Sequence, residues 1–90
     1  MAERQVVIQN EKGLHVRPAT AFMQLASKFA SKVQLVKGGQ AVNGKSSLEL
    51  LMLAATEGTA LTIRAEGPDA EQAVEALAKF VEDKFGMRDD

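Results

Sequence analysis

The chain has 90 residues, 46% of them hydrophobic and 26% charged, with a formal net charge of −1. That length suits one domain around one core, and the near-neutral balance excludes a strongly electrostatic nucleic-acid binder, whose surface would be basic. With no cysteine, a single histidine and no aromatic residue except four Phe, disulfides, thiol catalysis and cysteine-bound zinc are excluded, any metal site is short of nitrogen ligands, stacking on nucleobases is disfavoured, and neither metal nor cofactor is expected.

The start, MAERQVVIQ, has no apolar run of signal-peptide length and nothing later approaches a membrane span, so the expectation is a soluble cytoplasmic protein. RQVVI, residues 4–8, is β-branched and runs into the turn-prone QNEKG, a strand and a loop. From Val16 the period changes. Ala19, Phe22, Leu25, Ala26 and Phe29 recur at helical spacing, and Pro18 fits a first turn, where its missing N–H has no intrahelical partner to lose. The helix should begin at His15 or Val16, with His15 at or beside the N-cap.

SKVQLVK and QAVN flank a Gly-Gly turn and read as a hairpin. SSLELLMLAATEG follows as a second helix, with Ser46 and Glu49 spaced as a capping box and Leu50, Leu53 and Ala54 as its apolar stripe. TALTIRAE, residues 59–66, alternates with Leu61, Ile63 and Ala65 on one side. A third helix opens at GPDAEQ, where Asp69 and Gln72 are spaced to cap each other; Ala70, Ala73, Val74, Leu77 and Val81 form its inner face, and Gly86 is its expected stop. The order is β-α-β-β-α-β-α. Alternating strands imply a sheet with one wet face, so the expected fold is α+β, an open-faced sandwich. A four-stranded antiparallel sheet carries three helices on one face, in a single domain over residues 1–90.

One motif misleads. GQAVNGKS, Gly39 to Ser46, matches the P-loop pattern letter for letter. A P-loop needs its middle residues in a loop, with their N–H groups turned to phosphate. Here QAV is the returning strand of a hairpin, and no apolar strand ending in Asp is present to hold magnesium. The plain alternative is a turn glycine leading into a helix cap.

The stretch KGLHVRPAT carries the only histidine. A histidine at a helix start is often an ordinary polar cap. Beside His15, however, the first-turn N–H groups form an anion site, and Arg17 adds a guanidinium fork suited to phosphate oxygens. Neutral imidazole is itself a nucleophile. A nucleophile, an anion cradle and a phosphate-reading arginine are the parts of a phosphohistidine site. No second histidine or general base accompanies them, so the pattern is that of a phosphoryl recipient and donor and not of a complete kinase.

GLHVRPAT, followed by GKSS…LMLAA and AEGPDAEQAVEAL, resembles the HPr family, the histidine-containing phosphocarriers of the bacterial phosphoenolpyruvate-dependent phosphotransferase system. The resemblance runs from about residue 4 to 86 and implies the same element order. It implies that His15 accepts phosphate at Nδ1 from enzyme I and passes it to an IIA-type protein, as in sugar uptake. Arg17 matches the arginine that holds and releases the phosphoryl group. Ser46 matches the serine that an HPr kinase/phosphorylase modifies in some bacteria. Docking would run through the first helix and the short second one, using Lys45, Ser47, Leu48 and Leu51, with the chain a monomer. Ser47 stands where relatives commonly carry an apolar residue, and Glu49 where they are often neutral or basic. LLMLAA and GPDAEQA are closer to nitrogen-related regulatory members. A different reading is a regulatory binding module, switched by phosphorylation at Ser46 and acting through complexes.

Overall fold

Strands form where an alternating apolar row meets partners of matching register. The computed structural model describes residues 1–87; Arg88, Asp89 and Asp90, the end of the expected domain, lie outside the described residues. In chain order come β1 (Ala2–Val7), α1 (Val16–Ala26), β2 (Lys32–Lys37), β3 (Gln40–Asn43), α2 (Ser47–Met52), β4 (Ala60–Glu66) and α3 (Ala70–Glu82), then a 3-10 turn over Lys84–Gly86. The four strands form one sheet in the order β1-β4-β2-β3, each neighbouring pair antiparallel.

Register sets the core. Val6 lies opposite Leu61, and Leu35 lies opposite both Ile63 and Val42. All five are buried. Because side chains alternate, the flanking Gln5, Thr62, Gln34 and Asn43 emerge on the far side, where Arg64 Nε donates to Glu3 at 2.8 Å across the β1–β4 rung. Phe22 of α1, Leu50 of α2 and Leu77 and Val81 of α3 are fully buried over the inner face. Each such side chain contributes roughly 1.5–3 kcal/mol by leaving water. The open-faced sandwich expected from the sequence is the fold observed.

Several boundaries differ from the sequence reading. β1 starts at Ala2, ahead of its β-branched run, because Ala2 pairs with Ala65 and shares its burial; pairing overrides propensity there. Phe29 lies beyond α1, in the turn that follows Ala26, yet still packs on the core. Ala54 is exposed and leaves the α2 stripe to Leu50 and Leu53. Gly86 does not stop α3. The helix ends at Glu82, and Lys84 and Phe85 take left-handed backbone (φ 55° and 56°). That reversal seats the Phe85 ring edge-on against Phe80, centroids 5.8 Å apart.

The Asp69–Gln72 cap is also replaced. Asp69 is the N-cap of α3, but its carboxylate reaches away from the helix to the turn before β2. It accepts from the Ala30 and Ser31 amides at 2.9 Å each and from the Ser31 hydroxyl at 2.5 Å, while the Asp69 amide donates back to that hydroxyl oxygen at 3.1 Å. The start of α3 is thus tied to the α1–β2 turn. The Ser31 hydroxyl foremost, then the Ala30 amide, holds the Asp69 carboxyl below the usual carboxylate range.

A depressed folded-state pKa stabilises the protein above the unfolded pKa of about 3.9, and the stabilisation is lost as pH falls through the lower folded value. Asp69→Asn should therefore melt below the wild type at neutral pH, with the gap closing below about pH 4. Thermal melts of both proteins across acid pH check this. A gap that stays constant into strong acid would show that the ionised carboxylate is not the stabilising form.

Candidate functional site

The site is built on a turn. Asn10 to Gly13 closes by a Gly13 N to Asn10 O bond of 3.1 Å, and Gly13 adopts φ 70°. Asn10 is completely buried, and its Nδ2 donates to Gly13 O at 2.6 Å. The same carbonyl accepts from His15 N at 3.1 Å. Leu14 N then donates to Ala55 O at 2.9 Å, and the Leu14 side chain enters the core. A Cβ on Gly13 would lie 2.4 Å from Ala55 O and 2.8 Å from Thr56 Cα. Only glycine permits both the left-handed backbone and this approach.

His15 is the N-cap of α1, extended at φ −99° and ψ −166°, and its side chain makes no capping bond to the helix. It is half-buried. Its carbonyl accepts from Ala19 N at 2.9 Å, so the helix is tied at once to the residue that carries the imidazole. Val16 and Arg17 supply first-turn amides, Pro18 has none, and no acidic residue occupies that turn. This is the electrostatic setting of an anion site at a helix start. Arg17 is exposed. The ion pairs among the described residues, Arg4–Glu75 and Arg64–Glu3, leave its guanidinium out.

Two contacts fix how α1 and α2 run. Leu14, before α1, bonds Ala55, after α2; Lys45, before α2, donates its Nζ to Phe29 O, after α1, at 2.7 Å. The helices are antiparallel. His15 accordingly sits at the C-terminal end of α2, and Ser46 at the other end, separated along the axis by about 9 Å at 1.5 Å per residue. Ser46 is the N-cap of α2, its Oγ accepting from Glu49 N at 3.2 Å. The reciprocal half of the box is absent. The Glu49 carboxylate instead accepts from Asn43 N at 3.0 Å, and Ser46 N goes to Asn43 O at 3.2 Å. Glu49 therefore ties α2 to the end of β3.

The structure sorts the expected docking residues. Leu48 is 71% exposed, Leu51 and Ser47 are half-buried, and Lys45 is half-buried with its ammonium committed to Phe29. Two exposed apolar side chains join Leu48: Val16 beside His15, and Met52 one turn beyond Leu48 on the same face of α2. Periodicity marks buried faces, so it passed over both. Asn10 was passed over as part of a turn-prone loop, and a polar residue just before the tight turn was the available signal. The P-loop match does not survive: Gln40 and Ala41 pair with Lys37 and Val36, so the segment is a ladder strand.

At the start of α1, then, a half-buried histidine stands two residues before an exposed arginine, close to the exposed apolar side chains of Val16 and Met52. Comparison with known proteins identifies the family. Residues 2–83 match the family model described as the PTS HPr component phosphorylation site. The phosphocarrier protein HPr of Cupriavidus necator is 37% identical over 86 residues, 96% of this chain and 97% of the relative. An HPr crystal structure from Thermoanaerobacter tengcongensis superposes with a TM-score of 0.92 at 41% identity, covering 98% of this chain and 99% of that one. Crh of Bacillus subtilis, a catabolite-repression protein whose crystal structure shows a dimer with a swapped domain, gives 0.76 at 40%, covering 93% and 97%. The chain belongs to the HPr family, the phosphocarriers of the phosphotransferase system.

Gly13→Ala tests the seam under His15. Left-handed backbone alone costs a non-glycine residue about 1–2 kcal/mol, and steric overlap adds about 1–3. Gly38→Ala has a similar φ of 58° but meets nothing within 4 Å. Gly13→Ala should therefore lose clearly more stability than Gly38→Ala in chemical denaturation. Equal losses would show that the close approach to Ala55 costs nothing.

Proposed function

We propose that His15 accepts a phosphoryl group from phosphorylated enzyme I and passes it to an IIA-type acceptor in a bacterial cytoplasm. The observation that carries this reading is the placement of His15 at the start of α1, where no acidic residue stands in the first turn and Arg17 is left out of the ion pairs among the described residues. The neutral imidazole attacks phosphorus through Nδ1 while the donor's bond to phosphorus breaks. Arg17 and the first-turn amides hold the phosphoryl oxygens in both directions of transfer. A carrier's chemistry must run both ways: a group stored on imidazole must leave as readily as it arrives.

Docking uses α1 and α2, with Leu48 and Leu51 as apolar contacts, Ser47 at the rim and Lys45 bracing the two helices. Ser46 lies at the far end of α2 from His15. A phosphate placed there by an HPr kinase/phosphorylase would act on the partner's approach and not on the imidazole directly. It would add about −1.5 to −2 charge beside Glu49 on the docking face, to which, as the family resemblance implies, enzyme I presents an acidic patch. The likeness to Crh favours a second reading, a regulatory module that works by complex formation and is switched at Ser46. The two readings separate at His15→Ala, which ends a relay and spares a complex. The working form is a monomer; size-exclusion of the phosphorylated protein checks this against the swapped pairing of Crh.

Incubation with phosphoenolpyruvate and enzyme I should label the wild type and leave His15→Ala unlabelled. Arg17→Lys should slow transfer by roughly tenfold, the loss of one charge-assisted hydrogen bond of about 1.5 kcal/mol. Ser46→Asp retains a capping oxygen, so melting should be unchanged while transfer slows, the defect shrinking in high salt. Labelling of His15→Ala, or full-rate transfer by Arg17→Lys, would contradict the site. A slowed Ser46→Asp whose defect ignores salt would contradict electrostatic braking.

A further inference from the structure

Three large apolar side chains on α1 and α2 are exposed: Val16 and Met52 at 63% each and Leu48 at 71%. Leu48 and Met52 are four residues apart and share one face of α2. Met52 closes that helix three residues before Ala55, whose carbonyl binds Leu14 next to His15. It is the member of the α2 pair nearer the imidazole. A thioether there differs from an aliphatic side chain in one chemical respect: it can be oxidised.

We propose that Met52 is a redox-sensitive contact of the docking face, oxidised to the sulfoxide by peroxide with loss of relay rate. The inference rests on the reading of the α1–α2 face as the surface that meets enzyme I. In the step, an S–O bond forms at Met52 Sδ and the peroxide O–O bond breaks. Sulfur loses two electrons, the peroxide is reduced by two, and water leaves. The product carries a polar, chiral S–O group in place of an apolar contact. Docking would then bury that oxygen against apolar surface without a partner, which is unfavourable. Thiol-dependent sulfoxide reduction reverses the step.

The other methionines supply the contrast. Met23 packs on the core and Met87 is half-buried, so both react more slowly. Met1 is 77% exposed but precedes β1, whose opposite end, through Ile8, leads to the His15 turn. Its oxidation should leave the relay untouched.

The test treats wild type, Met52→Leu and Leu48→Ala with hydrogen peroxide, removes the peroxide, and then adds enzyme I and phosphoenolpyruvate. Peptide mass spectrometry locates the added oxygen, and each protein's transfer rate is divided by its own rate before treatment. The wild-type ratio should fall roughly fivefold, as for one contact at the edge of an interface. Met52→Leu should stay near one, and methionine sulfoxide reductase should restore the treated wild type. Complete oxidation of Met52 with a wild-type ratio of one overturns the inference. If untreated Leu48→Ala is then slow, the docking reading stands without it. If untreated Leu48→Ala also transfers at the wild-type rate, the docking reading falls as well.

Discussion

The seat of His15 is the contact between the Gly13–Leu14 backbone and the carbonyl of Ala55. One hydrogen bond of 2.9 Å joins a loop after β1 to the loop before β4. These loops come together because β1 and β4 are neighbours in the sheet, and Ile8 and Thr59 extend their pairing by a 3.0 Å bond. Asn10 closes the turn from below, and the Leu14 side chain anchors it in the core. On the far side of the seam, Ala54 accepts left-handed backbone (φ 51°), a conformation that costs a non-glycine residue about 1–2 kcal/mol. Strain of this kind persists where surrounding contacts over-determine it. His15 thus leaves a platform fixed at several points, and is itself half-buried.

That combination fits a carrier better than an enzyme. An enzyme encloses its reacting atoms to exclude water and fix every group around them. A carrier must present one atom to two partners in turn, so its precision has to lie in the backbone beneath the side chain. The apolar face of α2 and the first turn of α1 share an edge with His15, so a partner that docks there meets the imidazole without any domain closure. The lysine braced on Phe29 and the Glu49 carboxylate held on Asn43 fix the N-terminal side of α2, and Lys37 Nζ, donating to Leu53 O at 2.9 Å, fixes its C-terminal end.

Much of this was legible in the sequence, for identifiable reasons. Alternation in TALTIRAE and the period of Ala19, Phe22 and Ala26 are local signals that the tertiary structure reinforces. His15 and Arg17 stood out because one histidine beside a helix start leaves few chemical alternatives. What could not be read were the long-range polar ties. The spacing of Asp69 and Gln72 imitates a capping box, but only the fold brings Ser31 near enough to take the carboxylate. Glu49 was drawn away to Asn43 for the same reason. Phe85 ended α3 early by packing back on Phe80, a contact that helix propensity has no means to register. Met52 and Val16 escaped because surface exposure is decided by neighbours, and periodicity speaks only of burial.

The most direct measurement is NMR of the chain after phosphorylation by phosphoenolpyruvate and enzyme I, with 15N-labelled imidazole and observation of 31P. Phosphorus–nitrogen coupling to Nδ1 of His15, in a signal lost on acidification and retained in base, is the predicted result. A phosphorus signal without nitrogen coupling that survives acid, as a serine ester does, would contradict it.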